Sequence, residues 1–243
     1  MINIKDLSVI FENKTILKNI NLHINRGRTI VLFGKNGSGK TVLLKVLAGL
    51  IESYSGTIEI NGQDIKNGKA GSQTTMSYVF QKGGLFDSMN VFENVAFPLR
   101  RAGKNADEIS RIVSDSLNRV GLSGNESKLP SELSGGMQKR VGFARAICTN
   151  PDIILYDDPT AGLDPILSDS ISDVIKEIKD AYKSTSFVVT HDIEVARKVA
   201  DEIALLYKGE LVFDGPAPDF FSKNNPYARQ FIEADLQGPI DIF

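Results

Sequence analysis

A glycine-rich segment from Gly34 to Thr41 has the residues needed to hold phosphate groups. It reads Gly-Lys-Asn-Gly-Ser-Gly-Lys-Thr, and it follows an apolar run and precedes a helical pattern. Such glycines let main-chain N–H groups converge on phosphates at a helix N-terminus, whose dipole favours an anion. Lys40 adds a positive charge and Thr41 a hydroxyl ligand for Mg²⁺. We predict a nucleotide-phosphate site formed by Gly34, Asn36, Gly37, Ser38, Gly39, Lys40 and Thr41.

Two further segments place polar groups at the ends of expected elements. Asp157 and Asp158 end a second apolar run, which in a parallel sheet places acid beside the strand of the phosphate loop. Ser134 is positioned to cap another helix, whose first residues, Gly135 and Gly136, allow close approach to its N-terminus. We expect this helix end to be a second phosphate-binding element.

The strands that position these residues are predicted from two patterns of apolar residues. Alternation of apolar and polar residues in 4–11, 20–24 and 57–61 predicts half-exposed strands of an antiparallel sheet. Continuous apolar runs at 29–33, 153–156 and 186–190 predict buried strands of a central parallel sheet. Helical patterns cover 40–50, 106–120, 136–149 and 168–182, and the block 84–150 is expected to be a helical subdomain inserted into an α/β core.

Composition excludes several classes of protein. The chain has 243 residues, 42% of them hydrophobic and 24% charged, which is too apolar for a disordered protein. Its formal net charge is -2, so the basic footprint of a general nucleic-acid binder is missing. Cys148 is the single cysteine, which excludes a disulfide within the chain and favours the cytoplasm. The longest apolar stretch, near residues 41–51, is shorter than the ~20 residues of a membrane span.

The order of the motifs resembles that of the ATP-binding cassette (ABC) family. The match includes the phosphate loop and Leu133 to Gln138, the family's signature motif, with Arg140 and Ala144-Arg145-Ala146 in their usual positions. The resemblance implies a P-loop NTPase core that binds ATP and Mg²⁺ and hydrolyses ATP. It also implies a homodimer, since the signature residues of one subunit contact the γ-phosphate held by the other. A nucleotide-binding domain over 1–225, with a C-terminal tail at 226–243 that contacts another subunit, is expected.

The resemblance assigns roles to other residues. Asp157 resembles the Walker B aspartate that holds Mg²⁺, and Gln81 the Q-loop glutamine that contacts Mg²⁺ and water. Asp164 resembles the D-loop aspartate at the dimer interface, and His191 the switch histidine at the γ-phosphate. Phe11 lies where the family stacks an aromatic ring on adenine. The alternatives are a loop residue for Gln81, a helix cap for Asp164, a strand-end polar group for His191 and a core residue for Phe11.

Asp158 departs from the family pattern, in which glutamate usually follows the Walker B aspartate and polarises the attacking water. The carboxylate of Asp158 is withdrawn by about 1.5 Å, one carbon–carbon bond. Because a displacement of ~1 Å can cost on the order of 10²-fold in rate, slow hydrolysis is one reading. We nevertheless expect turnover with Asp158 as the base, and a nucleotide switch that does not hydrolyse ATP is the alternative.

The segment Phe80 to Arg100 resembles the Mla-type phospholipid-transport ATPases linked to Mce-domain lipid carriers, as does Met137 in the signature motif. This resemblance implies that the chain works with integral-membrane permease subunits and lies on the cytoplasmic face of the inner membrane. It also implies that the transporter moves phospholipids between membranes and so maintains the lipid asymmetry of the outer membrane. An importer ATPase for a small polar solute is the alternative.

Asn90 and Glu93 predict a capped helix that Pro98 ends. The apolar residues between Leu85 and Leu99 predict a groove for a partner helix, with Phe86 or Phe92 as its anchor.

Overall fold

The computed structural model describes residues 1–67 and 74–241 of the chain. It comprises two compact units. Unit 1 consists of Met1–Thr74 and Thr185–Phe243, and unit 2 of Thr75–Ser184. The last two residues of the expected tail, 242 and 243, lie outside the described part.

The first part of unit 1 contains the strands β1 (Ile2–Phe11), β2 (Lys14–Ile24), β3 (Thr29–Gly34), β4 (Ser55–Ile60) and β5 (Gln63–Asp64). Unit 2 contains β6 (Met76–Val79) and β7 (Ile153–Asp157). Unit 1 continues with β8 (Thr185–Val189), β9 (Glu202–Tyr207) and β10 (Glu210–Pro216). The helices of unit 1 are α1 (Lys40–Leu47), α6 (Ile193–Val199), α7 (Ala217–Phe221) and α8 (Pro226–Glu233). Those of unit 2 are α2 (Val91–Arg101), α3 (Ala106–Arg119), α4 (Gly135–Ile147) and α5 (Pro165–Tyr182).

The antiparallel part of unit 1 has the strand order β2-β1-β4-β5. Ile2 of β1 pairs with Ile24 of β2 on one side and with Ile60 of β4 on the other. In β1 the apolar side chains of Ile2, Ile4, Leu7 and Val9 are buried, whereas most residues between them are more accessible. The predicted half-exposed antiparallel sheet is thereby confirmed.

The parallel part of unit 1 is centred on β3, which pairs in parallel with β8 on one side and β9 on the other. Every residue of β3 and of β8 is buried. This explains their continuous apolar sequences, since a strand covered on both faces has no wet side. β10 adds to β9 in the antiparallel direction.

Unit 2 combines the parallel pair β6 and β7 with four α-helices. The described residues between 84 and 150 include α2, α3 and α4, and α4 packs against α2, α3 and β6. The predicted helices at 106–120 and 136–149 correspond to α3 and α4 within two residues at each end. The strand β6 was not predicted, because its four residues mix Ser and Tyr with apolar types.

The prediction that Pro98 ends its helix is wrong. Asn90 and Glu93 form the expected capping box of α2, but the helix continues through Pro98 to Arg101. An interior proline costs about 3 kcal/mol through its missing N–H and its clash with the preceding turn. Continuation buries Leu99 beside Val95, and such packing outweighs the local preference.

The C-terminal segment of unit 1 folds back on α8. The buried amide of Gln230 donates to the carbonyls of Asp235 and Ile240 and accepts from the N–H of Ile240. Lys35 of the phosphate loop donates to the carbonyl oxygen of Asp241 at 3.1 Å.

Among the described residues, no helix is both long enough and apolar enough to cross a membrane.

Candidate functional site

The phosphate loop joins β3 to α1 in unit 1, the context that its sequence requires. Gly34 ends β3, and a Cβ atom there would lie 2.4 Å from the carbonyl oxygen of Leu206, so a larger residue does not fit. Helix α1 begins at Lys40 after Gly39, whose left-handed backbone (φ 108°) carries no capping side chain. Because Gly39 has no side chain, it does not cap the first N–H groups of α1. An anion site needs such uncapped N–H groups.

Two polar side chains of the loop are suited to phosphate. The hydroxyl of Ser38 is buried and has no hydrogen-bond partner among the described residues. An orphaned buried donor is costly, and a bound phosphate oxygen would satisfy it. Lys40 bends back over the loop and donates to the carbonyls of Gly34 at 2.8 Å and Lys35 at 3.1 Å. Thr41 is exposed in the first turn of α1.

Unit 1 also brings His191 to the same sheet edge. Because β3 and β8 are parallel neighbours, the loops after Gly34 and after Val189 leave from one edge. The N–H of Thr190 donates to the carbonyl of Leu32 at 3.4 Å, and the exposed His191 follows. Asp192 caps α6 by accepting from Glu194 and Val195.

Phe11 ends β1 beside the turn at Glu12 and Asn13. Its side chain is 39% exposed, so the alternative of a core phenylalanine is wrong. An exposed ring face is what stacking on a base requires. The stacking role itself stays a prediction.

Unit 2 brings Gln81 and the two aspartates to one edge of the β6–β7 pair. Parallel pairing matches Val79 of β6 with Tyr156 of β7. The exposed Gln81 therefore follows β6 at the edge where the half-buried Asp157 ends β7 and the half-buried Asp158 follows it. Asp158 has a left-handed backbone with φ 47°. Asp tolerates this region better than most residues with a side chain.

The signature motif opens α4 as its sequence predicts. The Ser134 hydroxyl accepts from the N–H of Met137 at 3.3 Å and so caps the helix. A Cβ atom at Gly135 would meet nothing within 4 Å, whereas one at Gly136 would touch Leu167 at 3.6 Å. Gly135, the first residue of α4, is therefore exposed among the described residues.

The model of the family described as ABC transporter matches residues 17–161, which include the phosphate loop, the signature motif and both aspartates. The chain belongs to the ABC transporter family. As a cassette of this family it binds ATP, and it is an ABC-type ATPase.

Relatives extend the similarity beyond the matched segment. The probable ribonucleotide transport ATP-binding protein mkl of Mycobacterium leprae is 41% identical, over 99% of this chain and 71% of its own. The intermembrane phospholipid transport system ATP-binding protein MlaF of Escherichia coli is 36% identical, over 99% of this chain and 91% of its own. A dimeric ATP-binding cassette solved in a post-hydrolysis state with ADP and Pi has a TM-score of 0.78 and 29% identity, over 89% of this chain and 98% of that one.

Asp164, which resembles the D-loop aspartate, caps α5. Its carboxylate accepts from the N–H of Leu167 at 2.9 Å, with Pro165 in the first turn. The alternative role of Asp164 as a helix cap is therefore confirmed. A dimer contact through the same loop stays a prediction.

Three buried or half-buried side chains of the cassette were missed as site residues. Tyr78 donates to Oδ2 of Asp157 at 2.8 Å, and burial together with this bond raises the pKa of Tyr78, which remains a donor. Lys139 of α4 donates to the carbonyls of Pro159 and Ala161. Arg145 donates to the carbonyls of Gly83 and Gly84 after Gln81. The spacing of residues in the sequence does not predict these contacts between separate elements. The only sequence feature that points to Lys139 and Arg145 is that both lie in the helix opened by the signature motif.

Unit 2 also contains an apolar groove of about 460 Å³. Phe86, 41% exposed, and Phe97 lie in its wall with their ring centroids 4.8 Å apart, and the guanidinium of Arg145 lies near the Phe86 ring. The buried amide of Asn94 fixes the loop before α2 by bonding to Phe86, Met89 and Asn90. Among the described residues, the groove is lined by Met76, Ser77, Tyr78, Phe80, Gly84, Phe86, Phe97, Pro98, Arg145, Ala146 and Thr149. Phe92, one of the two predicted anchors, is not part of it.

Proposed function

We propose that this cassette powers a transporter that moves phospholipids between membranes. The observation that carries the lipid assignment is the similarity to MlaF over 99% of the chain, at 36% identity. The Phe80 to Arg100 segment, whose sequence suggested this class, forms part of the groove wall. The chain would act at the cytoplasmic face of the inner membrane through permease subunits and lipid-carrier components.

Within this function the phosphate loop would bind ATP through Lys40, Ser38 and the glycine N–H groups. Thr41, Gln81 and Asp157 would hold Mg²⁺, whose charge would offset that of the phosphates when it is bound. The described residues contain no cluster of three or more His, Cys, Asp or Glu side chains suited to a metal. That fits an ion held mostly by phosphate oxygens, with few protein ligands.

The remaining roles concern hydrolysis and dimer formation. Asp158 would accept a proton from the attacking water, and His191 would donate to the γ-phosphate. Ser134, Gly135 and Gly136 of one chain would contact the ATP of a second chain, with Asp164 at the interface. The exposure of Gly135 supports this, because no described residue outside its own helix turn lies within 4 Å of a Cβ atom placed there.

The groove would receive a cytoplasmic helix of the membrane subunit. Aromatic and aliphatic side chains dominate its lining, with Arg145 as the charged member. An amphipathic helix buries its apolar face in grooves of this kind. Arg145 ties the groove wall to the loop after Gln81, so a docked helix would bear on a loop assigned to the nucleotide.

Transport of a ribonucleotide or another small polar solute is the second candidate. It is favoured by the 41% identity to proteins named as probable ribonucleotide transport ATP-binding proteins. The two candidates share every nucleotide-site residue. They differ in cargo, which the membrane subunits select.

The test is to purify the chain with its membrane subunits, identify copurified lipids by mass spectrometry and reconstitute the assembly in vesicles. We expect bound phospholipid and ATP-dependent transfer of labelled phospholipid. An assembly carrying Lys40→Ala is the inactive control. ATP-dependent uptake of a labelled ribonucleotide without phospholipid transfer would overturn the lipid assignment and support the second candidate.

A further inference from the structure

Tyr78 joins the apolar groove to a carboxylate of the proposed nucleotide site. Its ring lines the groove, and its hydroxyl donates a 2.8 Å hydrogen bond to Oδ2 of Asp157. The two residues lie on the neighbouring parallel strands β6 and β7. We propose that Tyr78 is a positioning residue that fixes the Asp157 carboxylate for the divalent ion. This inference rests on the proposed role of Asp157 as a metal contact.

The tyrosine is held well enough to serve as a fixed donor. Its ring packs on that of Phe80 with centroids 4.6 Å apart, and the side chain is half-buried. Strand pairing with β7 fixes the backbone at Tyr78, which is matched with Leu155. The hydroxyl therefore has a defined position relative to the end of β7.

Such a partner matters for an aspartate, because rotation about the Cβ–Cγ bond is soft and a carboxylate samples a broad range of angles. A hydrogen bond to Oδ2 restricts that rotation, and because the carboxylate is planar it fixes the direction of Oδ1 as well. Partners of this kind orient metal ligands, and their loss typically weakens metal binding 10- to 100-fold. Because ATP phosphates hold the same ion, we expect the lower end of this range for Tyr78, about 10-fold.

The test compares Tyr78→Phe with the wild-type chain. This change removes the hydroxyl and keeps the ring that lines the groove. Tyr182→Phe is the matched control, since Tyr182 is a half-buried tyrosine of α5 whose ring lies against Arg119. Each full chain is saturated with a non-hydrolysable ATP analogue and titrated with Mg²⁺, and the Mg²⁺ concentration at half of the rise in Tm is measured.

We expect the Mg²⁺ midpoint to rise about 10-fold in Tyr78→Phe and to stay unchanged in Tyr182→Phe. A second comparison is made in an Asp157→Asn background, where Tyr78→Phe should add no further shift, because the residue acts through that carboxylate. An unchanged midpoint in Tyr78→Phe, or the same shift in both backgrounds, overturns the proposal. A wild-type chain that binds the analogue with no response to Mg²⁺ would refute the metal role of Asp157, and this inference with it.

Discussion

Lys139 donates a 2.8 Å hydrogen bond from its ammonium group to the carbonyl oxygen of Pro159, the residue after Asp158. A second bond of 2.8 Å reaches the carbonyl of Ala161. The lysine is only 7% exposed. Burial lowers its pKa, while the charge of Asp158 acts in the opposite direction. The helix that begins with the signature motif is thereby fastened to the loop that carries Asp158.

Replacing this lysine should disturb both stability and turnover. Lys139→Met leaves two carbonyl acceptors without their charged donor, which we expect to cost about 1–3 kcal/mol of unfolding free energy. The loosened loop should lower kcat about 10-fold with little change in KM, since small displacements of catalytic groups are costly. Lys176→Met, at an exposed position of α5, is the matched control. Normal kcat in Lys139→Met would show that the contact does not position Asp158.

Lys40→Ala should weaken ATP binding and lower ATP hydrolysis about 100-fold or more, because it removes the loop's positive charge from the phosphates. Phosphate release and binding of a fluorescent ATP analogue are the measurements. Lys45→Ala is the control, since Lys45 is an exposed lysine in the last turn of the same helix. Undiminished phosphate release by Lys40→Ala would contradict the assignment of the phosphate loop.

Asp158→Asn should bind ATP and stall before hydrolysis, leaving closed dimers, because an amide cannot accept the proton of the attacking water. Asn tolerates the left-handed backbone at this position, so the loop should keep its shape. Asp158→Glu should hydrolyse ATP at least as fast as the wild type, at a stability cost of about 1 kcal/mol from the same backbone. Single-turnover phosphate release and size-exclusion chromatography with ATP test both. Normal turnover by the Asn variant would exclude Asp158 as the base.

ATPase activity per chain should rise with protein concentration, because the signature motif of one chain acts on the ATP of another. Gly135→Trp should abolish this rise without lowering Tm, since no described residue outside the helix turn lies within 4 Å of a Cβ atom placed at Gly135. Gly135→Ala provides a graded control with a much smaller side chain. A rate per chain that stays constant down to monomeric protein would argue against hydrolysis by a dimer.

Phe86→Ala should fold, bind ATP and lose association with the membrane subunits, since large apolar residues in pockets dominate interface energetics. Phe92→Ala is the matched control, because Phe92 lies outside the groove lining. Copurification is measured beside ATP binding and a thermal melt. A core cavity would instead cost ~3–5 kcal/mol and appear as an early melt. If both variants copurify and transport lipid normally, the groove is not the coupling contact.

The phosphate loop and the signature helix could be predicted because their chemistry depends on contiguous residues. Gly37 must adopt a left-handed backbone (φ 79°) and Ser134 must cap α4, and both requirements are written in the local sequence. The paired strands β3 and β8 were also predictable, since burial on both faces produces continuous apolar runs.

Only the tertiary structure decided how these pieces are supported. Tyr78 and Asp157 are 79 positions apart in the chain, and their hydrogen bond follows from the pairing of β6 with β7. The continuation of α2 past Pro98 depends on packing that outweighs a local preference. The groove draws Phe86, Phe97 and Arg145 from separate segments. Caps, turns and glycine loops are set by neighbours in sequence, whereas these contacts are set by which distant side chains the folded chain brings together, and residue spacing does not encode that.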